Sequence, residues 1–176
     1  MYHDIKRRTK KTFNPMLGET YELVMDDFKY ISEQVSHHPP ISAFNIDGDN
    51  FQVNGHIQSD SKITMGGGKG RMNITPALGS IQNYILDKYN DYITVTKPDV
   101  KIHNIIMGTL YADMEGTINS VSHTTGDKAE IKMVPKGWKN PSKIEGIVKD
   151  SKGNKRFEIT GSWLDQIILK DLKSNS

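Results

Sequence analysis

A hairpin pattern occupies residues 144–161, which read IEGIVKDSKGNKRFEITG. Apolar or small residues alternate with polar ones on both sides of Lys152-Gly153-Asn154, as expected for two half-buried strands joined by a tight turn. The residues assigned to the buried face are Ile144, Gly146, Val148, Phe157, Ile159 and Gly161. We therefore predict an antiparallel hairpin with one buried face and one solvent-exposed face.

Similar patterns recur along most of the chain, with Gly, Asn or Asp between short apolar runs. A second hairpin is predicted from Ile41–Ile46 and Phe51–Ile57, which flank Asp47-Gly48, and a further strand from Gln166–Leu169. Only residues 78–90 could hold a short helix, and a strand is the alternative there. The sequence thus predicts a mainly β fold, an antiparallel meander with few short helices.

Glycines inside these runs bear on the shape of the sheet, because bulges and bends favour glycine. They are Gly55, Gly108, Gly116, Gly146 and Gly161. We expect them to mark bulges or bends that curl the sheet. The separate glycine cluster at residues 66–70 lacks the Gly-Lys-Ser/Thr order of a phosphate-binding loop, and we interpret it as a hairpin loop.

Composition excludes several classes of protein. The chain has 176 residues, a length typical of one domain, and its net charge of +2 provides no overall field for nucleic acid. The absence of cysteine excludes disulfides, cysteine-based zinc sites and thiol nucleophiles. No apolar run is long enough to span a bilayer, and the first residues lack the apolar region of a secretory signal. These features favour a cytoplasmic protein.

Charge is distributed in blocks. Residues 1–11 form a basic arm of charge +4, residues 12–127 carry −7, and residues 128–156 carry +6. Two basic blocks around an acidic middle could face an anionic surface. For residues 128–156, ordinary solvated loops are an equally good interpretation.

Two adjacent histidines precede two prolines in the segment Glu33–Pro40, which reads EQVSHHPP. Neighbouring residues of a strand point to opposite faces, so His37 and His38 can share one ligand only if the chain leaves strand geometry at the prolines. Imidazolium rings donate hydrogen bonds to phosphate. Lys11 adds a cation and Asn14 adds amide donors, provided that a turn at Asn14-Pro15 brings both inward.

These segments resemble the oxysterol-binding protein family, whose signature is the octapeptide Glu33–Pro40. The resemblance also includes Lys11–Glu19, which reads KTFNPMLGE. It continues through Asn104–Gly108, Thr125-Gly126, Gly137-Trp138 and Gly161-Ser162-Trp163, and so covers nearly the whole chain.

The resemblance implies an incomplete β-barrel around a lipid tunnel, with phosphatidylinositol 4-phosphate and a sterol or oxysterol as alternative cargoes. It also implies that Lys11, Asn14, His37 and His38 hold the phosphorylated inositol head group at the tunnel mouth. Thr12 stands where the family frequently has proline. No cofactor and no metal are implied, since the adjacent histidines lack a third ligand.

The same resemblance implies that residues 1–176 are the core of one lipid-binding domain. A complete domain of the family is about twice as long, with a lid segment upstream and a helical segment downstream. Neither segment is found in this sequence, so we expect a more open tunnel.

The hypothesis for function is lipid binding and non-vesicular transfer between membranes, with transient peripheral membrane association and no bond made or broken. The alternative is a non-transferring module that docks on a membrane or a protein and has a vestigial cavity. A third class, a phosphoinositide hydrolase, would require turnover that depends on His37 or His38.

Overall fold

A computed structural model describes residues 13–64, 70–76, 81–104, 106–108, 111–134 and 142–172. The fold is mainly β, as predicted, with all strand pairs antiparallel. The strands are β1 Thr20–Val24, β2 Phe28–His37, β3 Pro40–Gly48, β4 Phe51–Thr64, β5 Arg71–Pro76, β6 Ile81–Leu86, β7 Asp91–Thr96, β8 Asp99–His103, β9 Tyr111–Ser122, β10 Lys128–Met133, β11 Lys143–Lys149, β12 Lys155–Ser162 and β13 Ile167–Asp171.

The sheet forks at β4 and rejoins at β9. The first part of β4 pairs with β6 through residues 51–55, and its last part pairs with β5 through residues 59–64. One branch continues from β6 through β7 to β9, and the other from β5 through β8 to β9. Among the described residues, β1 and β13 each pair on one side only, so the sheet is open.

The predicted hairpin of β11 and β12 is confirmed. Ile144 pairs with Gly161 and Gly146 with Ile159, on the face assigned to the interior. Ile144 is 2% exposed and packs with Met114, Met133 and Ile159 in the hydrophobic core. The strand predicted at Gln166–Leu169 is also confirmed, except that β13 begins one residue later, at Ile167.

The hairpin of β3 and β4 forms as predicted, but its turn lies two residues later. Gly48 pairs with Phe51, so Asp49 and Asn50 make the turn and Asp47 and Gly48 belong to β3. A Cβ atom at position 48 would collide with the Phe51 ring. A larger residue here would have to displace this ring, and the backbone of Gly48 has no positive φ that would call for glycine.

The ambiguous segment 78–90 contains a strand and one helical turn. Residues 81–86 form β6, and Asp87–Tyr89 form a 3-10 helix that ends at Asn90 in the left-handed conformation. Residues 77–80 lie outside the described part of the chain. Strand pairing on both edges of β6 favoured the extended conformation there.

The glycine predictions are partly met. Gly161 has a φ of 127°, and a side chain there would collide with the carbonyl oxygen of Gln166 on β13. The register shifts in the described strand pairs fall elsewhere, between Gln34 and Ser36 and between Val148 and Lys149. Of the cluster at residues 66–70, only Gly70 lies within the described residues; Thr64 and Arg71 pair on either side of it.

Candidate functional site

The two histidines lie at the turn between β2 and β3. His37 ends β2 and pairs with Pro40, whereas His38 and Pro39 form the turn and are joined by a cis peptide bond. Because the chain leaves strand geometry here, the two rings lie together, with centroids 4.7 Å apart and planes 73° apart. Both side chains are exposed. In this histidine turn, residues 37–40, the two imidazoles are close enough to contact one ligand.

A bulge at Val35 precedes the histidine turn. Gln34 pairs with Ser42 and Ser36 with Ile41, which leaves Val35 as the extra residue of β2. Gln34 is 4% exposed, and its Nε2 donates to the Ser36 carbonyl oxygen at 2.6 Å. Its Oε1 accepts a hydrogen bond from Ser42 Oγ at 2.5 Å. The buried amide therefore ties both sides of the bulge to β3.

The segment that contains Asn14 is attached to the same end of β2. The Gly18 N–H donates to the Gln34 carbonyl oxygen at 2.8 Å, and the Gln34 N–H donates to the Glu19 carbonyl oxygen at 3.0 Å. Since β1 and β2 are antiparallel, residues 13–18 enter the sheet at the end where the histidine turn lies. Asn14 is exposed in this segment.

The turn near Asn14, on which the inward placement of Lys11 and Asn14 was conditional, lies at Met16–Glu19 and not at Asn14-Pro15. The Glu19 N–H donates to the Met16 carbonyl oxygen at 3.0 Å, and the Glu19 carboxylate accepts from the Met16 N–H at 2.8 Å. Gly18 supplies the positive φ, 79°, that this turn needs. Lys11, the remaining candidate for the site, lies outside the described residues.

An apolar hollow of about 460 Å³ lies at the fork of the sheet. Its wall includes Tyr30, Phe44, Ile57, Tyr84, Lys97 and Met114. Tyr30 and Phe44 stack with ring centroids 6.4 Å apart, and burial raises the pKa of the Tyr84 hydroxyl. Its size falls in the range of roughly 300–1,000 Å³ that is common for small-molecule sites.

The hollow and the histidine turn are joined along β3. Phe44 lies four residues after Pro40 on this strand, which corresponds to about 13 Å at the usual rise of a strand. Ile57 of the hollow wall pairs with Ser42, only two residues from Pro40. A ligand could therefore have one end at the histidines and the other in the hollow.

A larger concavity, of about 760 Å³, lies on β9–β12 and has a different character. Its wall carries Lys128, Lys132, Glu145 and Glu158. By strand alternation, these residues face away from the core residues Met133 and Ile144. Because charged side chains line it, it is a poor container for an apolar molecule, and we place the candidate site at the smaller hollow.

No helix in the described part of the chain is long and apolar enough to cross a bilayer. Within the same residues, no group of three or more His, Asp or Glu side chains is arranged to hold a metal ion.

Sequence reasoning missed two residues of this region. Gln34 belongs to the quoted octapeptide, but its role depends on Ser42 of the next strand. Lys97 belongs to the short link between β7 and β8, and only the folded sheet brings it to the hollow. The sequence does contain one signal for Lys97: this lysine precedes a proline and follows an apolar, Thr-rich run.

This geometry is that of an open β domain with room for an apolar ligand behind a polar rim. The sequence model of the family described as oxysterol-binding protein matches residues 1–176. The chain therefore belongs to the oxysterol-binding protein family.

The chain is similar to curated relatives of much greater length. It is 42% identical over 170 residues to oxysterol-binding protein-related protein 1 of Mus musculus, covering 93% of this chain and 17% of the relative. It is 41% identical over 164 residues to oxysterol-binding protein-related protein 2 of Homo sapiens, covering 90% of this chain and 33% of the relative. The chain thus spans a third or less of these relatives.

Solved structures share the fold. The Osh1 ORD domain in complex with cholesterol matches with a TM-score of 0.81 and 28% identity, over 94% of this chain and 39% of that chain. The same domain in complex with ergosterol matches with a TM-score of 0.80, again at 28% identity and with the same coverage. The Osh3 ORD of Saccharomyces cerevisiae in complex with PI(4)P gives a TM-score of 0.79 over 99% of this chain and 46% of that chain, at 24% identity.

Proposed function

We propose that this chain is a lipid-binding domain that removes one lipid at a time from a membrane and carries it to another. Its cargoes are phosphatidylinositol 4-phosphate and a sterol. The phosphorylated head group is held by Lys11, Asn14, His37 and His38, and the apolar body of either cargo lies in the hollow. The observation that carries this proposal is the contact between the His37 and His38 rings at the end of β3, the strand that also lines the hollow.

The polar rim selects the phosphoinositide. Two imidazoles side by side can donate hydrogen bonds to one phosphate, and a bond to a charged group contributes about 1.5–3 kcal/mol. Lys11 supplies a permanent positive charge and Asn14 a neutral donor. A sterol carries no phosphate and gains nothing from these groups, so the rim discriminates between the two cargoes.

The hollow accommodates the apolar part of either cargo. Each buried CH₂ group contributes about 0.8 kcal/mol relative to water, but a bilayer is equally dry. The net free energy of extraction is therefore small, and it permits release at the second membrane. The proposal of a sterol cargo is further supported by the cholesterol and ergosterol complexes of the Osh1 ORD domain, which is 28% identical to this chain.

Transfer requires no covalent chemistry. Both lipids would occupy the same hollow, so binding of one excludes the other and allows exchange between two membranes. The protein would touch each membrane transiently as a peripheral protein. The histidine turn and the exposed Met16 and Leu17 lie at the same end of the sheet, which is the end that we propose faces the bilayer.

The test is an extraction assay with the 176-residue chain. Vesicles containing labelled phosphatidylinositol 4-phosphate or labelled cholesterol are incubated with protein and then removed, and the lipid left with soluble protein is measured. Extraction of both lipids, with competition between them, supports the proposal. Vesicle binding without extraction favours the docking module instead, and labelled inositol phosphate in solution would identify a hydrolase.

A further inference from the structure

Lys97 is a cation in an apolar setting. It lies in the link between β7 and β8, next to the buried Pro98, and its side chain forms part of the wall of the hollow. The Nζ atom lies 5.8 Å from the centroid of the Phe44 ring. The side chain is only partly exposed, and this burial lowers the pKa of the Lys97 ammonium group.

The described residues provide no acidic partner for Lys97. The salt bridges among them join Lys101 to Glu115 and Lys143 to Glu145, and neither involves Lys97. A partly buried cation without an anion loses hydration and recovers little of it. Contact with an aromatic ring offsets only part of this loss, because such contacts are weak.

The cation–π contact alone does not distinguish Lys97. Lys88 lies 5.7 Å from the Tyr89 ring, in the 3-10 helix after β6, but it is exposed and lines no apolar cavity. What sets Lys97 apart is the combination of burial, an apolar cavity and the lack of a described anion. A group of this kind in a cavity indicates a ligand-binding role.

We propose that Lys97 is an internal binding residue for the phosphodiester of a phosphoinositide cargo. This inference rests on the proposed function. Phosphatidylinositol 4-phosphate has a phosphomonoester at one side of its inositol ring and a phosphodiester at the other, where the glycerol begins. With the monoester at the histidine turn, the diester lies deeper, toward the acyl chains. Phe44, under the ammonium of Lys97, is about 13 Å along β3 from Pro40, a separation of the order of one head group.

This position assigns Lys97 a distinct part in cargo selection. The histidines would recognise the phosphate on the sugar, whereas Lys97 would recognise the anionic link that all glycerophospholipids have. A sterol lacks both groups. Lys97 should therefore favour binding of the phosphoinositide and of phosphatidylinositol, and should not favour sterol binding.

The experiment compares Lys97→Met with Lys88→Met in the extraction assay. Methionine keeps a long apolar side chain over the Phe44 ring and removes the charge. Vesicles contain labelled phosphatidylinositol 4-phosphate, phosphatidylinositol or cholesterol. For Lys97→Met we expect about a tenfold loss of phosphatidylinositol 4-phosphate extraction, a similar loss for phosphatidylinositol and no loss of cholesterol extraction. Lys88→Met should equal wild type, and Lys97→Arg should retain most of the uptake.

The outcomes separate this inference from the proposed function. Unchanged phosphoinositide uptake in Lys97→Met, or an equal loss of cholesterol uptake, overturns the role of Lys97. If the double variant His37→Ala and His38→Ala loses uptake and Lys97→Met does not, only this inference fails. A wild-type chain that extracts no lipid overturns both. Equal thermal midpoints of Lys97→Met and wild type ensure that a loss reflects binding and not unfolding.

Discussion

The side-chain amide of Gln34 donates to the Ser36 carbonyl oxygen at 2.6 Å, across the bulge at Val35. One residue beyond Ser36 stands His37, the first of the two histidines. The bulge shifts the alternation of β2 by one position, so it decides to which face His37 is directed. We therefore expect the orientation of the histidine turn to depend on Gln34.

The first prediction concerns this amide. In Gln34→Leu, the Ser36 carbonyl and the Ser42 hydroxyl lose their partner, and we expect a loss of about 1–3 kcal/mol in the free energy of unfolding. Gln34→Glu keeps an acceptor for Ser42 but cannot donate to Ser36 when ionised. It should lower extraction of phosphatidylinositol 4-phosphate more than extraction of cholesterol.

Ser42→Ala is the matched control, because it removes only the hydrogen bond between Ser42 and Gln34. It should cost stability and leave the ratio of the two cargoes unchanged. Urea denaturation and the extraction assay measure both effects. An unaltered cargo ratio in Gln34→Glu would contradict the role assigned to the Gln34–Ser36 bond.

The second prediction concerns the histidine turn. In the double variant His37→Ala and His38→Ala, loss of two charge-assisted donors should lower phosphoinositide extraction on the order of a hundredfold. Both side chains are exposed, so the thermal midpoint should change little. Cholesterol extraction should persist.

His123→Ala is the control, since this exposed histidine stacks on Tyr92, near the opposite end of the sheet. Retained phosphoinositide uptake in the double variant would remove the histidines from the site.

The third prediction concerns pH and the β11–β12 turn. Hydrogen bonds from the side chain and the backbone of Asn154, with a further one from the Lys152 N–H, hold the pKa of Asp150 below its usual value. A depressed pKa in the folded state stabilises the protein above the ordinary carboxyl pKa of about 4, and this contribution is lost as the pH falls.

Asp150→Ala should therefore lower the thermal midpoint at pH 7, and the difference from wild type should shrink as the medium becomes more acidic than about pH 4. Ser151→Ala, at an exposed position of the same turn, is the control, because it removes no titratable group and should show no such pH dependence. Calorimetry at several pH values measures this. A difference that is constant with pH would assign the effect to the backbone turn alone.

The fourth prediction compares two glycines that both have positive φ. Gly153→Ala places a Cβ atom in open space, so its cost is the strain of the left-handed backbone, about 1–2 kcal/mol. Gly161→Ala adds a collision with the Gln166 carbonyl and must displace β13. We expect a clearly larger loss of unfolding free energy for Gly161→Ala, measured in urea. Equal losses would mean that β13 can shift away from the added Cβ atom without lowering the free energy of unfolding.

Local pattern was sufficient for part of the fold. The alternation around Lys152-Gly153-Asn154 predicted β11, β12 and their buried face, because a hairpin depends on residues close in sequence. The β3–β4 turn was placed two residues early because Gly48 looks like a turn residue. Its actual constraint is the Phe51 ring across the strand pair. The fork at β4 depends on pairings with strands far along the chain, which no local pattern encodes.

The candidate site was likewise predictable from local sequence only in part. Prolines after His38 predicted that the chain leaves strand geometry, and the adjacent rings follow from it. The Gln34 amide bonds to Ser36 across the bulge at Val35 and to Ser42 of the next strand, and spacing within β2 does not reveal such contacts. The turn near Asn14 was predicted at the wrong residues because proline is a common turn residue. The residue with the positive φ that this turn requires is Gly18.

The forked sheet limits how the hollow can adjust its size. Strands β4, β6, β7, β9, β8 and β5 form a closed hydrogen-bonded circuit, and a slip of one strand would disrupt the pairing of all its neighbours. The circumference of this ring is thus set by its backbone. If the hollow takes two cargoes, as proposed, their difference in width would be met by rotamer changes in its wall, and the unbranched Met114 and Met133 are the side chains best suited to make them.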